Sequence, residues 1–272
     1  VLAETGKVQK RVRDLPARVG VYLLLAGVLH ADTGWPGVWR ELVAGLKGLP
    51  VARPSASSMA ASRRRLGVAP FRALFEALRG AAAAGRVGSV FWHGRLVCAI
   101  DGTSVGVPDT DENKTVYRKG GSNHGGTGYP LVRLVALVAC GTRSVIDAVF
   151  GPTTSGESTY AVKLLPSLHA RMILLADRGF AGEKLLGLIA GTGADFLVRV
   201  TNNRLLPVLE CYPDGSWRSR VALDVRVIRC EITVVTDAGR KTGYYLLVTT
   251  VLDPAVPATD LIRLYHDRWL IE

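Results

Sequence analysis

Apolar residues recur at helical spacing through the first part of the chain. They follow two prolines placed where helices begin, Pro36 and Pro70, at Val38, Leu42, Val43 and Leu46 and again at Phe71, Leu74, Phe75 and Leu78. Between these runs, the segment SASSMAASRRRLG has a serine-rich start that can cap a further helix. The pattern predicts a helical N-terminal domain over residues 1–85, with RGAAAAGRVGS (79–89) as its junction to a second domain.

From about residue 90 the pattern changes to short apolar runs, which are typical of strands covered on both faces. These runs are RLVCAID (95–101), LVRLVALVAC (131–140), SVIDAVF (144–150), MILLAD (172–177) and ADFLVRV (194–200). The short link GTR predicts an antiparallel hairpin between the second and third runs. Two helical segments, SGESTYAVKLLPSLHA and AGEKLLGLIAG, separate the later runs. This order predicts an α/β fold, a mixed sheet with helices on its faces.

Residues 201–252 interrupt this alternation with strand-like runs and a turn signal at Asp214-Gly215. They predict a β-rich insertion within the second domain, which spans residues 90–272. A final amphipathic helix is predicted to begin around Ala258.

The amino-acid composition indicates which classes of partner this protein can have. The 48% hydrophobic and 21% charged residues are those of an ordinary globular protein, and 34 Lys and Arg against 23 Asp and Glu give a net charge of +11. This excess favours a polyanionic partner such as nucleic acid, with a basic proteome or a ribosome-associated protein as the alternative. The four scattered cysteines form no CxxC pair and favour reduced thiols in the cytoplasm, and the run VGVYLLLAGVLHA is too short to span a bilayer.

Three carboxylates are candidates for catalysis. Asp101 and Asp177 each close an apolar run, which places them at the carboxyl edge of the sheet, where open α/β sheets bind ligands. Strand-terminal aspartates also cap turns, so each has a structural alternative. In YHDRWLIE (265–272), Tyr265, Arg268 and Glu272 fall along one stripe of a helix. An exposed Arg–Glu ion pair is the alternative for that stripe.

Together with both aspartates, this spacing resembles the Y-x2-R-x3-E-x6-K signature of DDE transposases of the IS4-type insertion-sequence family. The resemblance covers essentially the whole chain, including DGTSVGVPDTDENKTVYRKGGSNHGGTGYPLVRLVALVACGTRSVIDAVFG, LADRGF and LVRVTNNRLLPVLECYPDGSW. It implies a ribonuclease H-like fold and a metal-binding catalytic triad of Asp101, Asp177 and Glu272. Hard cations prefer such oxygen ligands, and the resemblance implies two Mg²⁺ ions, with Mn²⁺ able to substitute.

The same resemblance implies a cut-and-paste transposase, which cleaves phosphodiester bonds at transposon ends and transfers the ends into target DNA. Its partners would be double-stranded DNA with terminal inverted repeats, the target DNA, and a second copy of the chain when full length. It implies no membrane partner and no nucleotide cofactor, and a location in the bacterial cytoplasm, associated with the nucleoid.

Further residues are candidates for DNA contact through cationic or aromatic side chains. They are Tyr265, Arg268, Trp269, Arg178, Arg118, Lys119, His124, Arg63, Arg64 and Arg65, and Trp217 is a second candidate for base stacking. Structural alternatives stay open. The arginine run can be a solvated face, Arg178 can pair with a neighbouring acid, and a tryptophan can be part of the core.

Two further features of the sequence bear on this function: a segment that looks like a phosphate-binding loop and the absence of the family lysine. GPTTSGES (151–158) has the glycine spacing of a phosphate-binding loop, but Glu157 stands where lysine is required, so this match is accidental.

The family lysine would lie seven residues past Glu272, so we expect a C-terminally truncated chain. The alternatives are therefore an inactive DNA-binding remnant or a ribonuclease H-like nuclease without strand transfer; end-specific binding by residues 1–85 would distinguish a transposase from the nuclease.

Overall fold

The computed structural model describes residues 1–11, 13–80, 91–119, 128–236 and 239–271. The chain divides into two compact units, Val1–Leu78 and Arg79–Glu272. Within the described residues, no helix is both long and apolar enough to cross a membrane.

The first unit consists of helices. They are α1 (Ala17–Leu29), α2 (Trp35–Val43), α3 (Ala56–Leu66) and α4 (Ala69–Leu78). Leu23, Val38 and Met59 form the centre of a small core to which α1, α2 and α3 each contribute. The serine-rich start caps α3 as predicted, because the Ser55 hydroxyl accepts a hydrogen bond from the Ser58 amide at 3.2 Å.

The second unit is built around one large sheet. Its strands are β1 (Phe91–Trp92), β2 (Arg95–Gly106), β3 (Leu131–Ala139), β4 (Ser144–Pro152), β5 (Met172–Ala176), β6 (Asp195–Val200), β7 (Glu210–Cys211), β8 (Trp217–Val221), β9 (Leu223–Thr236) and β10 (Gly239–Thr249). Its helices are α5 (Asp111–Val116), α6 (Glu157–Leu164), α7 (Glu183–Gly191) and α8 (Ala258–His266). The predicted α/β fold is confirmed.

The sheet order is β4-β3-β2-β5-β6-β10-β9-β8-β7, with β1 paired to β2 outside this path. Strands β2, β5 and β6 are mutually parallel neighbours, whereas β3 and β4 form the antiparallel hairpin predicted from their short link. The β-rich segment continues this sheet, because β10 pairs antiparallel with β6. The insertion therefore extends the central sheet, a long-range pairing that strand periodicity cannot reveal.

Alternate residues of the central strands enter two different cores. On one face, Cys98, Ile100 and Leu174 pack with residues of α6 and α7. On the other face, Ala99 and Leu175 pack with residues of α8. This period of two determines which face each strand-end side chain occupies.

The last helix differs from the prediction of one continuous α-helical stripe. Helix α8 ends at His266, and residues Asp267–Ile271 continue as a 3-10 helix. A 3-10 helix has three residues per turn, so the spacing of side chains changes after Tyr265 and Arg268 no longer follows it in an α-helical register.

Candidate active site

Asp101 and Asp177 lie at the same point of the sheet. In the parallel ladder between β2 and β5, Ile100 pairs with Ala176, and the two aspartates are the next residues of their segments. Both continue the alternation that includes Ala99 and Leu175, so both belong to the face covered by α8. The structure thus brings together two of the three predicted carboxylates at the carboxyl edge of the parallel strands.

A cavity of about 380 Å³ opens beside Asp101. Gly102 and Thr103 line it on β2, Ala136 lines it on β3, and Ile271 contributes from the end of the 3-10 helix. The chain segment that carries the third predicted carboxylate therefore reaches this cavity. Glu272 itself lies outside the described residues.

One oxygen of Asp177 has no conventional partner. Its Oδ1 atom is buried and accepts no hydrogen bond from any residue that the structure describes. The nearest cation is the guanidinium of Arg199, whose Nη1 atom lies 3.7 Å from that oxygen. A buried carboxylate oxygen without a hydrogen bond, next to a second carboxylate, suits a hard divalent cation. Among the described residues, however, no three His, Cys, Asp or Glu side chains are grouped closely enough to hold a metal ion.

Arg199 is a residue of this site that sequence reasoning missed. It lies on β6, next to β5, and its guanidinium also covers the ring of Tyr245 on β10, with 4.1 Å between Cζ and the ring centroid. The available signal was an arginine inside the apolar run DFLVRV. Such a charge inside a central strand requires a partner, because desolvating an unpaired guanidinium is unfavourable.

Tyr265 is buried beneath the carboxylate edge. Its side chain is fully inaccessible to solvent, and its hydroxyl donates to the carbonyl of Ala176 over a long 3.4 Å. Burial raises the pKa of the Tyr265 phenol, and the nearby charge of Asp177 adds to that rise. Tyr265, predicted from the sequence as a DNA contact, is buried in this structure and supports the segment before Asp177.

Arg268 and Trp269 form an aromatic and cationic cluster with Tyr265. Arg268 is 5% exposed, and its Cζ atom lies 5.7 Å from the Tyr265 ring centroid and 5.1 Å from that of Trp269. The rings of Trp269 and Tyr245 also form a T-shaped contact, with 6.3 Å between their centroids. The cluster therefore connects the 3-10 helix with the Arg199 side of the site. Arg268, predicted from the sequence as a DNA contact, is therefore buried within this cluster.

The remaining candidates of this unit lie at different depths. Arg178 is exposed directly after Asp177, and Arg118 is exposed near the end of α5. Lys119 pairs with Asp109 at 2.7 Å, and His124 lies outside the described residues. Trp217 is half-buried against the core on the α6 and α7 face, opposite Tyr265, so its ring is part of that core.

The arginine run of α3 separates into different environments. All three arginines are exposed, and the Cζ atom of Arg63 lies 4.7 Å from the ring centroid of Trp35. Arg65 lines a cavity of about 310 Å³ within the first unit. Four further basic residues, from the segment before α1, line the same cavity: Lys7, Lys10, Arg11 and Arg13. This basic cavity concentrates positive charge where a polyanion can bind.

A buried arginine holds the start of α8. Arg226 on β9 is fully inaccessible and forms an ion pair with Asp214. The carboxylate of Asp214 also accepts a hydrogen bond from the backbone amide of Ala258, at 2.8 Å, and so caps α8. Arg226 in turn donates to the carbonyls of Asp253 and Val256 at 3.0 and 2.7 Å. The β-rich segment thereby positions the helix that carries Tyr265.

Comparison with known proteins adds family relationships to this geometry. Residues 1–76 match the family model described as insertion element 4 transposase N-terminal, and residues 92–272 match that described as transposase DDE domain. A putative transposase InsZ of Escherichia coli (strain K12) is 33% identical over 131 residues, which are 48% of this chain and 44% of the relative. The transposase InsG for insertion sequence element IS4, from the same strain, is 28% identical over 293 residues. That alignment covers this whole chain but 63% of the relative.

Proposed function

Because the chain belongs to the family of transposase DDE domains, we propose that it is the catalytic portion of a DNA transposase that cleaves phosphodiester bonds at transposon ends and joins those ends to target DNA. The observation that carries this proposal is the placement of Asp101 and Asp177 side by side at one sheet edge, each directly after the paired residues Ile100 and Ala176. The sheet order agrees with the ribonuclease H-like fold that the resemblance implied, and the chain spans less than two thirds of the length of the relatives described above.

Proteins with this domain generally use divalent metal ions, and we propose Mg²⁺, with Mn²⁺ as a substitute. Asp101 and Asp177 would hold the cation, and Glu272 is the third ligand expected from the family signature. When bound, the cation supplies positive charge against the oxygens that become negative as a phosphodiester bond breaks. The buried Oδ1 of Asp177, which lacks a hydrogen bond from any described residue, supports this role.

The side chains around the aspartates then have distinct tasks. Arg199 restrains the Asp177 side chain, because its guanidinium lies next to the Asp177 carboxylate and is itself packed over the ring of Tyr245. Tyr265 supports the backbone of Ala176, the residue before Asp177. Arg178 is exposed at the same edge and is available to a phosphate of bound DNA. The DNA backbone would also contact the first unit at its basic cavity.

The proposal is tested by nicking of supercoiled plasmid with Mg²⁺ or Mn²⁺. We expect the chain to nick only with metal, and Asp101→Asn and Asp177→Asn to reduce nicking to background. Asp224→Asn is the matched control, because Asp224 lies on β9 in an ion pair with Arg220. Equal nicking by all four proteins would refute the assignment of the two aspartates.

A second assay separates the alternative functions. Joining of a labelled 3'-hydroxyl end to a target plasmid supports transposition. Cleavage without joining would instead identify a nuclease, and DNA binding without either reaction would identify an inactive remnant.

A further inference from the structure

Glu157 contacts the catalytic edge from the opposite side of the sheet. It lies in the first turn of α6, directly after the Gly156 N-cap. Its carboxyl group occupies the space beside Gly102, the residue that follows Asp101. A Cβ atom added to Gly102 would lie 2.6 Å from the Glu157 carboxyl carbon and 2.8 Å from its Oε1. Only a residue without a side chain admits this approach at position 102.

The same carboxyl group also reaches the segment after Asp177. Its Oε2 atom lies 3.8 Å from the position of a Cβ atom built on Gly179. Glu157 thus packs against Gly102 and lies near Gly179, the glycines that follow the two aspartates. Ile100 belongs to the core on the α6 and α7 face, and Gly102 continues that alternation, so the contact lies opposite the Asp101 side chain.

An arginine near the start of β3 also faces Glu157. Arg133 on β3 has its Nε atom 4.0 Å from Glu157 Oε1, and its Nη1 atom donates to the carbonyl of Ser155 at 3.3 Å. This guanidinium therefore connects β3 with both the residue before the N-cap and the carboxylate of the first turn. The ion pair is long at 4.0 Å, whereas the Glu157 side chain fills the space that a Cβ atom at position 102 would need, so Glu157 acts there mainly by packing.

An acidic residue in the first turn of a helix is often explained by the helix dipole alone. Glu183 provides the comparison within this chain, since it occupies the first turn of α7 after a Gly182 N-cap. Its carboxylate accepts a hydrogen bond from the Ala222 amide at 3.2 Å. Glu183 therefore shares the local position of Glu157, but it contacts a different part of the sheet. The dipole does not account for the contact with Gly102.

We infer that Glu157 is a positioning residue of the active site, which holds the end of the Asp101-bearing strand in place by packing against Gly102. This role rests on the proposed metal-dependent function. Glu157 acts through the backbone, and its carboxylate is not grouped with the two aspartates as a metal ligand among the described residues. Gly102, which follows Asp101, and Glu157, which lies in the segment that resembles a phosphate-binding loop, are therefore the two partners of this contact.

The test is a double-mutant cycle read by Mn²⁺ binding, measured from the electron paramagnetic resonance signal of the free ion. We expect Gly102→Ala to weaken binding about tenfold, the scale on which residues supporting metal ligands act. Glu157→Ala weakens it less, and Gly102→Ala adds no further loss in the Glu157→Ala background, because the collision is gone. Glu157→Gln keeps the shape of the side chain and retains near-normal binding, and the matched control Glu183→Ala binds as the unchanged protein does.

Urea unfolding of each variant is measured in parallel, so that a general loss of stability is distinguished from a change at the site. Equal effects of Gly102→Ala in both backgrounds, or normal Mn²⁺ binding by Glu157→Ala, would overturn the inference. Failure of the proposed function has a different signature: Asp177→Asn would then bind Mn²⁺ as tightly as the unchanged chain.

Discussion

The guanidinium of Arg199 lies 3.7 Å from Asp177 Oδ1 while covering the ring of Tyr245 at 4.1 Å. Both charged side chains are partly exposed, at 26% and 35%, so water screens their interaction. The arginine therefore serves less as a source of folding stability than as a positive charge placed beside Asp177, the proposed metal ligand. That charge both orients the carboxylate and opposes a bound cation.

Replacing Arg199 with methionine is expected to tighten Mn²⁺ binding about fivefold, since a divalent ion held beyond the carboxylate, about 8 Å from a unit charge in water, is repelled by about 1 kcal/mol. Arg199→Lys keeps the charge and is the control, with an expected affinity close to that of the unchanged chain. Isothermal titration with MnCl₂ measures both. Weaker binding by Arg199→Met than by Arg199→Lys would contradict the proposed charge opposition.

Tyr265 is expected to contribute through its ring more than through its hydroxyl. The hydrogen bond to Ala176 is long at 3.4 Å, so Tyr265→Phe should lower the free energy of unfolding by only about 1 kcal/mol. Tyr265→Ala should cost about 3 to 5 kcal/mol, because it opens a cavity between α8 and the sheet. Urea unfolding followed by circular dichroism measures the difference, and equal losses in the two variants would refute it.

Asp214 should make stability depend on acid pH. Burial opposes ionisation, but hydrogen bonds from Ser216 and Ala258 and the charge of Arg226 outweigh it, so the pKa of Asp214 lies below its ordinary value of 3.8. Because the folded-state pKa is lowered, the stabilisation is present above pH 3.8 and is lost as the pH falls through the folded-state value.

Asp214→Asn should therefore be less stable than the unchanged chain at pH 7, and the difference should shrink as the pH falls below the ordinary aspartate value. Urea unfolding at a series of pH values measures this convergence. Asp224→Asn, on the neighbouring strand β9, is the control for removing a paired aspartate. A difference that stays constant down to the acid limit would show that the charge of Asp214 contributes nothing.

The basic cavity of the first unit should contribute to the salt dependence of DNA binding. Lys10 and Arg11 are exposed and line this cavity. Replacing both with alanine should lower the slope of log K against log salt by about two, since each phosphate contact contributes about 0.9. Fluorescence anisotropy with a labelled duplex measures the slope.

A matched pair of substitutions controls for net charge in that experiment. Arg18 and Arg72 are exposed on α1 and α4 and do not line the cavity. If Arg18→Ala combined with Arg72→Ala lowers the slope equally, DNA responds to total charge and the cavity has no special role.

The sequence by itself determined the local elements of this protein. Apolar runs of strand length, the GTR link and the serine-rich cap all act between residues close in the chain, and the strands, the hairpin and the capped helix that they predict are present. The positions of Asp101 and Asp177 at strand ends could also be deduced, because period-two burial and strand polarity follow from the backbone alone.

Only the tertiary structure decided which distant residues meet. Pairing of β10 with β6 brings Tyr245 to Arg199, and packing of α6 brings Glu157 to Gly102. Neither contact can be predicted from nearby residues in the chain. The register of a sheet and the packing of a helix are determined by burial of whole apolar faces, to which many distant residues contribute. Tyr265 shows the same division: its spacing from Arg268 was visible in the sequence, but its burial under the sheet edge that carries Asp177 depends on how α8 packs on the sheet.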